Sequence, residues 1–424
     1  MPAFSLASET RTGCANERPS GSVRGVPGNW HPYRDRHLRE TFCYIVPIMR
    51  GIHREQLATI LLFLLILCCQ ASQGQATNGS QQKRLQIEDV VKKFMVSNQL
   101  PGISVAVVEN GNYEWSSGYG MADLESLVPA ASNTLYRLAS ISKPLTAAAA
   151  MVLYERGKLD LDAPVQKYCP AFPKKQAPIT TRQLLGHLGG VRHDRTHSFD
   201  DPEIINTRHV DDPISGGLDY FKDDPLVAAP GTKFSYSTNG YTVVGCIIEG
   251  ASGMKYVDFV QESVLRPAGM THTRVDDYSA IIPFRTRFYS KDSTGKVINS
   301  RFVDIAFKTP GDGWLSSAED MAKFEVAMLN NRIVSGATRA LMWSHQKTAD
   351  GNETPYGLGW AVDDDLPSTV SHGGGEWGTS TFIMMSPQQR NGIVVMINLN
   401  GANANELGLQ IFKILSGSNR APGQ

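Results

Sequence analysis

Apolar positions recur at helical spacing in "LQIEDVVKKFMVSNQL", Leu85 to Leu100, where Ile87, Val90, Val91 and Phe94 fall on one stripe. A helix is therefore predicted to open the folded part of the chain. The next stretch, "ISVAVVENGNYEWSSGYG", changes period: an apolar strand, the pair Asn110-Gly111 and a second strand spell a hairpin. Towards the other end, "STFIMMSPQQRNGIVVMINL" repeats that design with Pro387 to Gly392 as its loop, and "ANELGLQIFKILSG" returns to helical period. Between them, Leu145 to about Asn331 reads as mostly helical, broken by polar loops such as "HDRTHSFDDPEIINTRHVDDPISGG". The order helix, hairpin, helical middle, hairpin, helix implies an α+β fold. Strands from both chain ends pair in one antiparallel sheet, flanked by the terminal helices, and a large helical lobe (about 145–331) is inserted between them. The boundary between sheet and lobe is a natural cleft.

The first 84 residues have a different character. In "MRGIHREQLATILLFLLILCCQASQGQ" a basic start at Arg50 and Arg54 precedes an apolar run from Leu57 to Cys69. The run is shorter than the roughly 20 apolar residues that cross a bilayer comfortably. It ends in small residues around Ala71 to Gly74, which suits a signal peptide counted from Met49. A two-part mitochondrial address is the competing reading, and Glu9, Glu17, Asp35 and Glu40 weaken it. The expected division is an N-terminal extension, 1–84, carrying a targeting or membrane-anchor segment at 57–71, and a folded domain at 85–424.

Charge and cysteines narrow the classes further. The 424 residues hold 41 acids and 41 bases with no long basic run, which leaves no electrostatic footprint for a nucleic acid. Four of the six cysteines (Cys14, Cys43, Cys68, Cys69) lie in the extension. Cys169 and Cys246 remain, able to form one disulfide at most, and are expected as buried thiols rather than as a staple. No zinc spacing exists, so neither a metal nor a cofactor is expected.

Candidate chemistry begins at "LASISKPLTA", where Ser140 stands three residues before Lys143. An apolar helical stretch, "PLTAAAAMVLYERGKL", follows, and Pro144 is tolerated only in a first turn. Ser140 thus lies at a helix N-terminus, where free backbone N–H groups favour an oxyanion. Lys143 shares its face. A lysine serves as base only if burial or a neighbouring cation lowers its pKa from about 10.4. The same spelling recurs at Ser80 to Lys83, Ser252 to Lys255, Ser293 to Lys296 and Ser344 to Lys347 without that setting, and the ordinary reading of a serine here is an N-cap. Two more elements join Ser140: "FSYSTNGYTVVG" places Tyr236 before a helix, and "SHGGGEWGTSTF" places His372 on a glycine-rich strand. His187 in "LLGHLGG" repeats the His-x-Gly spelling with no strand after it.

In this order the three elements resemble the serine beta-lactamase and penicillin-binding protein superfamily, whose signature is Ser-x-x-Lys, Tyr-x-Asn, then Lys-Thr-Gly or His-x-Gly on an edge strand. The resemblance runs from about residue 90 onward and includes "APITTRQLLGHLGGVRH", "DGWLSSAEDMAKF" and "YGLGW". The branch it looks most like is that of the mitochondrial serine beta-lactamase-like proteins and their bacterial serine-peptidase relatives. The resemblance implies Ser140 as acylated nucleophile, Lys143 as proton acceptor and Tyr236 as proton relay. It implies His372, Gly374, Gly375, Thr238 and Asn239 as the substrate and oxyanion positions. Thr238 stands where the signature has asparagine, Asn239 follows one residue later, and His372 replaces a permanent cation. These departures point to a peptidase or esterase acting on a small peptide, amide or ester rather than to an efficient beta-lactamase. A structural protein with a vestigial site is the rival class. The resemblance also admits a homo-oligomer or filament, and favours the mitochondrial intermembrane space over secretion from Met49.

Overall fold

The computed structural model describes residues 80–193, 209–363, 366 and 368–417. The segment 57–71 and Asn78, which begins the glycosylation sequence Asn78-Gly79-Ser80, lie outside them; among the described residues no helix is long and apolar enough to cross a membrane.

The opening helix α1 occupies 80–98 and buries Ile87, Val91 and Phe94, the stripe that its spacing predicts. Strands β1 (Gly102–Glu109) and β2 (Asn112–Asp123) follow, joined where Asn110 (φ 55°) and Gly111 (φ 76°) both enter the left-handed region. Two such residues in a row match the tight turn whose twist suits a hairpin. A short β3 (Val128–Pro129) pairs with β2. The C-terminal part contributes β4 (Ala361–Asp363), β5 (Thr369–Glu376), β6 (Thr379–Ser386) and β7 (Asn391–Ile397). Strand β7 already begins at Asn391, so the last hairpin loop is shorter than the glycine and proline signals imply.

All pairings are antiparallel, in the order β3-β2-β1-β7-β6-β5-β4. The two chain ends meet at β1 and β7, where Val105 faces Val395. One face of the sheet carries Ile103, Val105, Val107, Phe382, Ile393 and Val395 against α1 and the last helix α5 (Ala404–Leu415), which buries Leu407, Ile411 and Leu415. The other face, with Ala106, Ile383, Val394 and Met396, packs on the inserted lobe. Strands covered on both faces are apolar without alternation. Burying each large aliphatic side chain there contributes about 2 kcal/mol.

The lobe is less helical than expected. Beside α2 (Ser142–Glu155), α3 (Thr238–Ser252) and α4 (Ala318–Leu329) it holds a small sheet of Tyr136–Arg137, Trp314–Ser316 and Arg274–Val275, and a pair formed by Tyr289–Lys291 and Val297–Asn299. Strands of two or three residues carry no period that a sequence reading detects. A second correction concerns the cysteines: Cys169 and Cys246 form a disulfide, their Cα atoms 5.4 Å apart, tying the segment just after the 3₁₀ turn Val165–Lys167 to α3.

Candidate active site

The centre of the site is the turn that enters α2. Leu138 is held by a hydrogen bond from its N–H to Trp314 O (2.8 Å), while its own carbonyl accepts from Thr381 Oγ1 on β6 (2.9 Å). Ala139 then adopts φ 49°, a left-handed conformation that costs a non-glycine residue roughly 1 kcal/mol and persists only when its surroundings impose it. Gly374 explains part of that constraint. A Cβ there would sit 2.4 Å from Leu138 O, so only glycine lets β5 approach the turn. Gly375 has open space where its Cβ would be.

Ser140 lies in the 3₁₀ turn Ala139–Ile141 that leads into α2, and it caps nothing. Its Oγ donates to Asp312 Oδ1 at 2.9 Å and accepts from Lys143 Nζ at 3.0 Å. The N-cap reading is thereby corrected. None of the other described Ser-x-x-Lys matches has this arrangement: Ser80 binds Glu114, Ser252 binds carbonyls of its own loop, and Ser344 bonds to Ala340 O.

Lys143 is fully buried. Besides Ser140 its ammonium has Thr238 Oγ1 at 3.1 Å, Gly311 O at 3.1 Å and Asp312 Oδ1 at 3.4 Å. Burial disfavours its charge, but Asp312 and the hydrogen-bonding groups outweigh that effect and raise its pKa above the ordinary value. The lowered pKa demanded of a lysine base is absent in this resting arrangement, because a carboxylate stands where a second cation was called for. Asp312 answers to the same pairing. Burial opposes its ionisation, yet the charges of Lys143 and Lys308 hold its carboxyl far below the usual carboxylate range.

Tyr236 directly precedes the N-cap of α3, Ser237, whose Oγ accepts from Gly240 N at 2.9 Å. Its ring lies under Lys143 Nζ, 4.8 Å from the centroid, and against His187 at 4.2 Å and His193 at 5.5 Å between centroids. Burial raises the phenol above its ordinary value, with the Lys143 charge acting in the opposite direction. Thr238, in the first turn of α3, supplies the polar contact to Lys143. Asn239, one step of about 100° further round the helix, turns its amide to His193 O at 3.4 Å instead. Asn239 is therefore not brought to Ser140.

His372 sits on β5, buried, with Nδ1–H donating to Gly373 O (2.7 Å) and Nε2 accepting from Tyr356 OH (2.7 Å). Burial, assisted by the Lys143 charge, lowers its pKa to about 3, so it is a neutral imidazole. His187, read from sequence as a bystander, is a wall of the site. Its Nδ1 accepts from Ser237 N at 3.1 Å while its ring packs against Tyr236 at an interplanar angle of 38°. Burial and then the Lys143 charge keep it neutral as well.

Sequence reasoning missed Asp312, Lys308 and Glu376. Lys308 Nζ contacts Glu376 Oε2 and lies 3.6 Å from Asp312 Oδ2, and all three side chains are buried. "DGWLSSAEDMAKF" begins at Asp312, so the stretch was marked but the acid had no role. Among the described residues no cluster of three or more His, Cys, Asp or Glu could hold a metal ion.

Half-buried Ser140 and fully buried Lys143 thus meet at the start of α2, with the Tyr236 ring packed on the lysine. The Beta-lactamase family profile matches residues 87–415. The chain is 29% identical over 415 residues to the mitochondrial serine beta-lactamase-like protein LACTB of Homo sapiens, with 73% of this chain and 76% of that protein covered. Protein flp of Staphylococcus aureus (strain NCTC 8325 / PS 47) is 30% identical over 332 residues, covering 76% of this chain and 64% of flp. Among solved structures, the octameric penicillin-binding protein homologue from Pyrococcus abyssi superposes with a TM-score of 0.67 at 25% identity, covering 78% of this chain and 77% of that one. The D-amino acid amidase from Ochrobactrum anthropi SV3 shares the fold, with a TM-score of 0.66 at 21% identity over 78% of this chain and 99% of that one. With its Ser-x-x-Lys turn, its terminal-strand sheet and a profile match across the whole described fold, the chain belongs to the Beta-lactamase family.

Proposed function

We propose that the protein is a serine hydrolase that forms an acyl-enzyme at Ser140 on a small peptide, amide or ester. The observation that carries this reading is the 3.0 Å hydrogen bond from the buried Lys143 Nζ to the half-buried Ser140 Oγ. In the reaction, Ser140 Oγ attacks the carbonyl carbon while its proton passes to the neutral amine of Lys143. Backbone N–H groups of Ser140 and Gly375 stabilise the oxyanion, each worth about 3 kcal/mol. Tyr236 carries a proton to the leaving group, and a water then attacks the ester carbonyl and restores Ser140. Thr238 orients Lys143. His372 and Gly374 shape the substrate edge, and because His372 is neutral it offers a carboxylate no counter-charge. That supports an amidase, peptidase or esterase over a beta-lactamase, in keeping with relatives and neighbours that include an amidase.

A second reading, an assembly protein with a vestigial site, draws on one observation: Lys143 rests beside a carboxylate and so as a cation. For location we infer the mitochondrion, as in the name of the human relative, and specifically an oxidising space outside the matrix, because Cys169 and Cys246 are paired. The function is tested by turnover of a panel of ester and amide substrates with purified wild type and Ser140→Ala. Hydrolysis by wild type alone is expected; equal hydrolysis by both would refute the nucleophile.

A further inference from the structure

Four buried charges line up behind Ser140 with alternating sign. Lys143 is 3.4 Å from Asp312, Asp312 is 3.6 Å from Lys308, and Lys308 contacts Glu376. Two cations and two anions balance, so the row is neutral as a whole while Asp312 stands between the two lysines. The geometry around Lys143 Nζ agrees with a full positive charge. Gly311 O and Asp312 Oδ1 only accept, and the Ser140 proton is already directed to Asp312, so three of the four neighbours of Nζ ask it for a proton. An ammonium supplies three; a neutral amine supplies two and would leave its lone pair facing acceptors.

We propose that Asp312 is a positioning residue that holds Lys143 as an ammonium ion in the resting site, and so restrains acylation of Ser140 at neutral pH. The proposal rests on the hydrolase reading above, in which Lys143 must be neutral to take the proton of Ser140. Asp312 acts through Lys143 rather than on the substrate. The titratable and charged groups facing this pair are Lys308 and Glu376 beyond it, Tyr236, His187 and His372 around Lys143, and His193 near Asp312. Both His187 and His372 are neutral, so Asp312 is the side chain whose charge decides the state of Lys143. Without it, two lysines face one remaining anion, Glu376, which Lys308 already contacts. Burial and the charge of Lys308 then act together to strip the proton from Lys143. Asparagine at 312 keeps an oxygen able to accept from the Ser140 hydroxyl, which separates loss of charge from loss of shape.

The test is the pH dependence of labelling by a fluorophosphonate probe. In that step a bond forms between Ser140 Oγ and phosphorus, the phosphorus–fluorine bond breaks, fluoride leaves, and the serine proton passes to Lys143. The rate therefore follows the fraction of neutral Lys143, which changes tenfold per pH unit below its pKa. Labelling is measured from pH 6 to 10 on wild type, Asp312→Asn and Asp312→Ala, with thermal melting to establish that each is folded. The expected result is a rising limb moved to lower pH in both variants and labelling at pH 7 faster than wild type by roughly tenfold or more. A profile that does not move in either folded variant overturns the proposal while leaving the hydrolase reading intact. Loss of labelling at every pH in both folded variants, with wild type labelled, also overturns it, because Asp312 would then be the proton acceptor itself. Absence of labelling in wild type and in both variants sinks the hydrolase reading and this proposal with it.

Discussion

Replacing both Cys169 and Cys246 by alanine removes a bond that closes a long loop, since the two residues are 77 apart in sequence. In the chain-entropy treatment, freeing a loop of that length restores about 15 cal/mol/K to the unfolded chain, or about 4.5 kcal/mol at 25 °C. Both cysteines are buried in the main core, so the alanines also leave small voids, worth roughly 1 kcal/mol together. Unfolding entropy scales with length, and for the roughly 340 residues of the fold a loss of this size lowers Tm by about 6 to 8 °C. Differential scanning calorimetry of oxidised wild type and the double variant measures the shift. Dithiothreitol should bring wild type most of the way to the variant and leave the variant where it is. Melting of the variant within about 1 °C of wild type, or an equal response of both to reductant, would refute the reasoning, because the loop would then be restrained by other contacts in the unfolded state.

Other perturbations have equally definite outcomes. Glu325 is fully buried on α4, and burial, only weakly opposed by the Met384 backbone, raises its carboxyl well above the ordinary value of 4.5. The folded state keeps this proton while the unfolded state loses it, so its cost is absent below about pH 4 and grows as pH rises. Glu325→Gln should therefore stabilise the protein by about 1 to 3 kcal/mol at pH 7 and by nothing at pH 4, read from urea midpoints at the two pH values. Lys143→Ala should lose about 10²- to 10⁴-fold in acylation rate, whereas His372→Ala should weaken substrate binding more than acylation; pre-steady-state kinetics of both variants separates the two, and the reverse ranking would make the histidine the base. For location, Asn352 is exposed and followed by Glu353-Thr354, so secretion would place a glycan there. Import into isolated mitochondria without glycosylation is the expected result, measured by protease protection and glycosidase shift.

What was legible in the sequence was local. The Asn110-Gly111 hairpin could be read because two adjacent residues suited to positive φ determine a turn, and the α1 stripe because its period repeats within a few turns. Ser140 and Lys143 were legible for the same reason: two residues three positions apart at a helix start meet whatever the rest of the chain does. Asp312 lies 172 residues from Ser140, and only the completed fold brings its carboxylate to the hydroxyl. No spacing rule connects "ISK" to "PGD". The cysteine pairing escaped for a like reason, since two isolated thiols look the same whether bonded or apart. Gly374 was legible only as a position in the signature; that a Cβ there would collide with Leu138 O of the serine turn and with Thr381 Oγ1 emerges from the fold. Tyr236 was found through its place in a signature, while the side chain that braces it, His187, had only a misleading likeness to a motif elsewhere.

The central claim is that one serine, Ser140, becomes covalently acylated with Lys143 as its partner. It is tested most directly by treating purified protein with a fluorophosphonate at pH 8 to 9, weighing the intact protein and mapping the modified peptide. The expected result is one adduct per chain on the peptide that contains Ser140, absent from Ser140→Ala and strongly diminished in Lys143→Ala. An adduct on any other residue, or an equal adduct on Ser140→Ala, would contradict it.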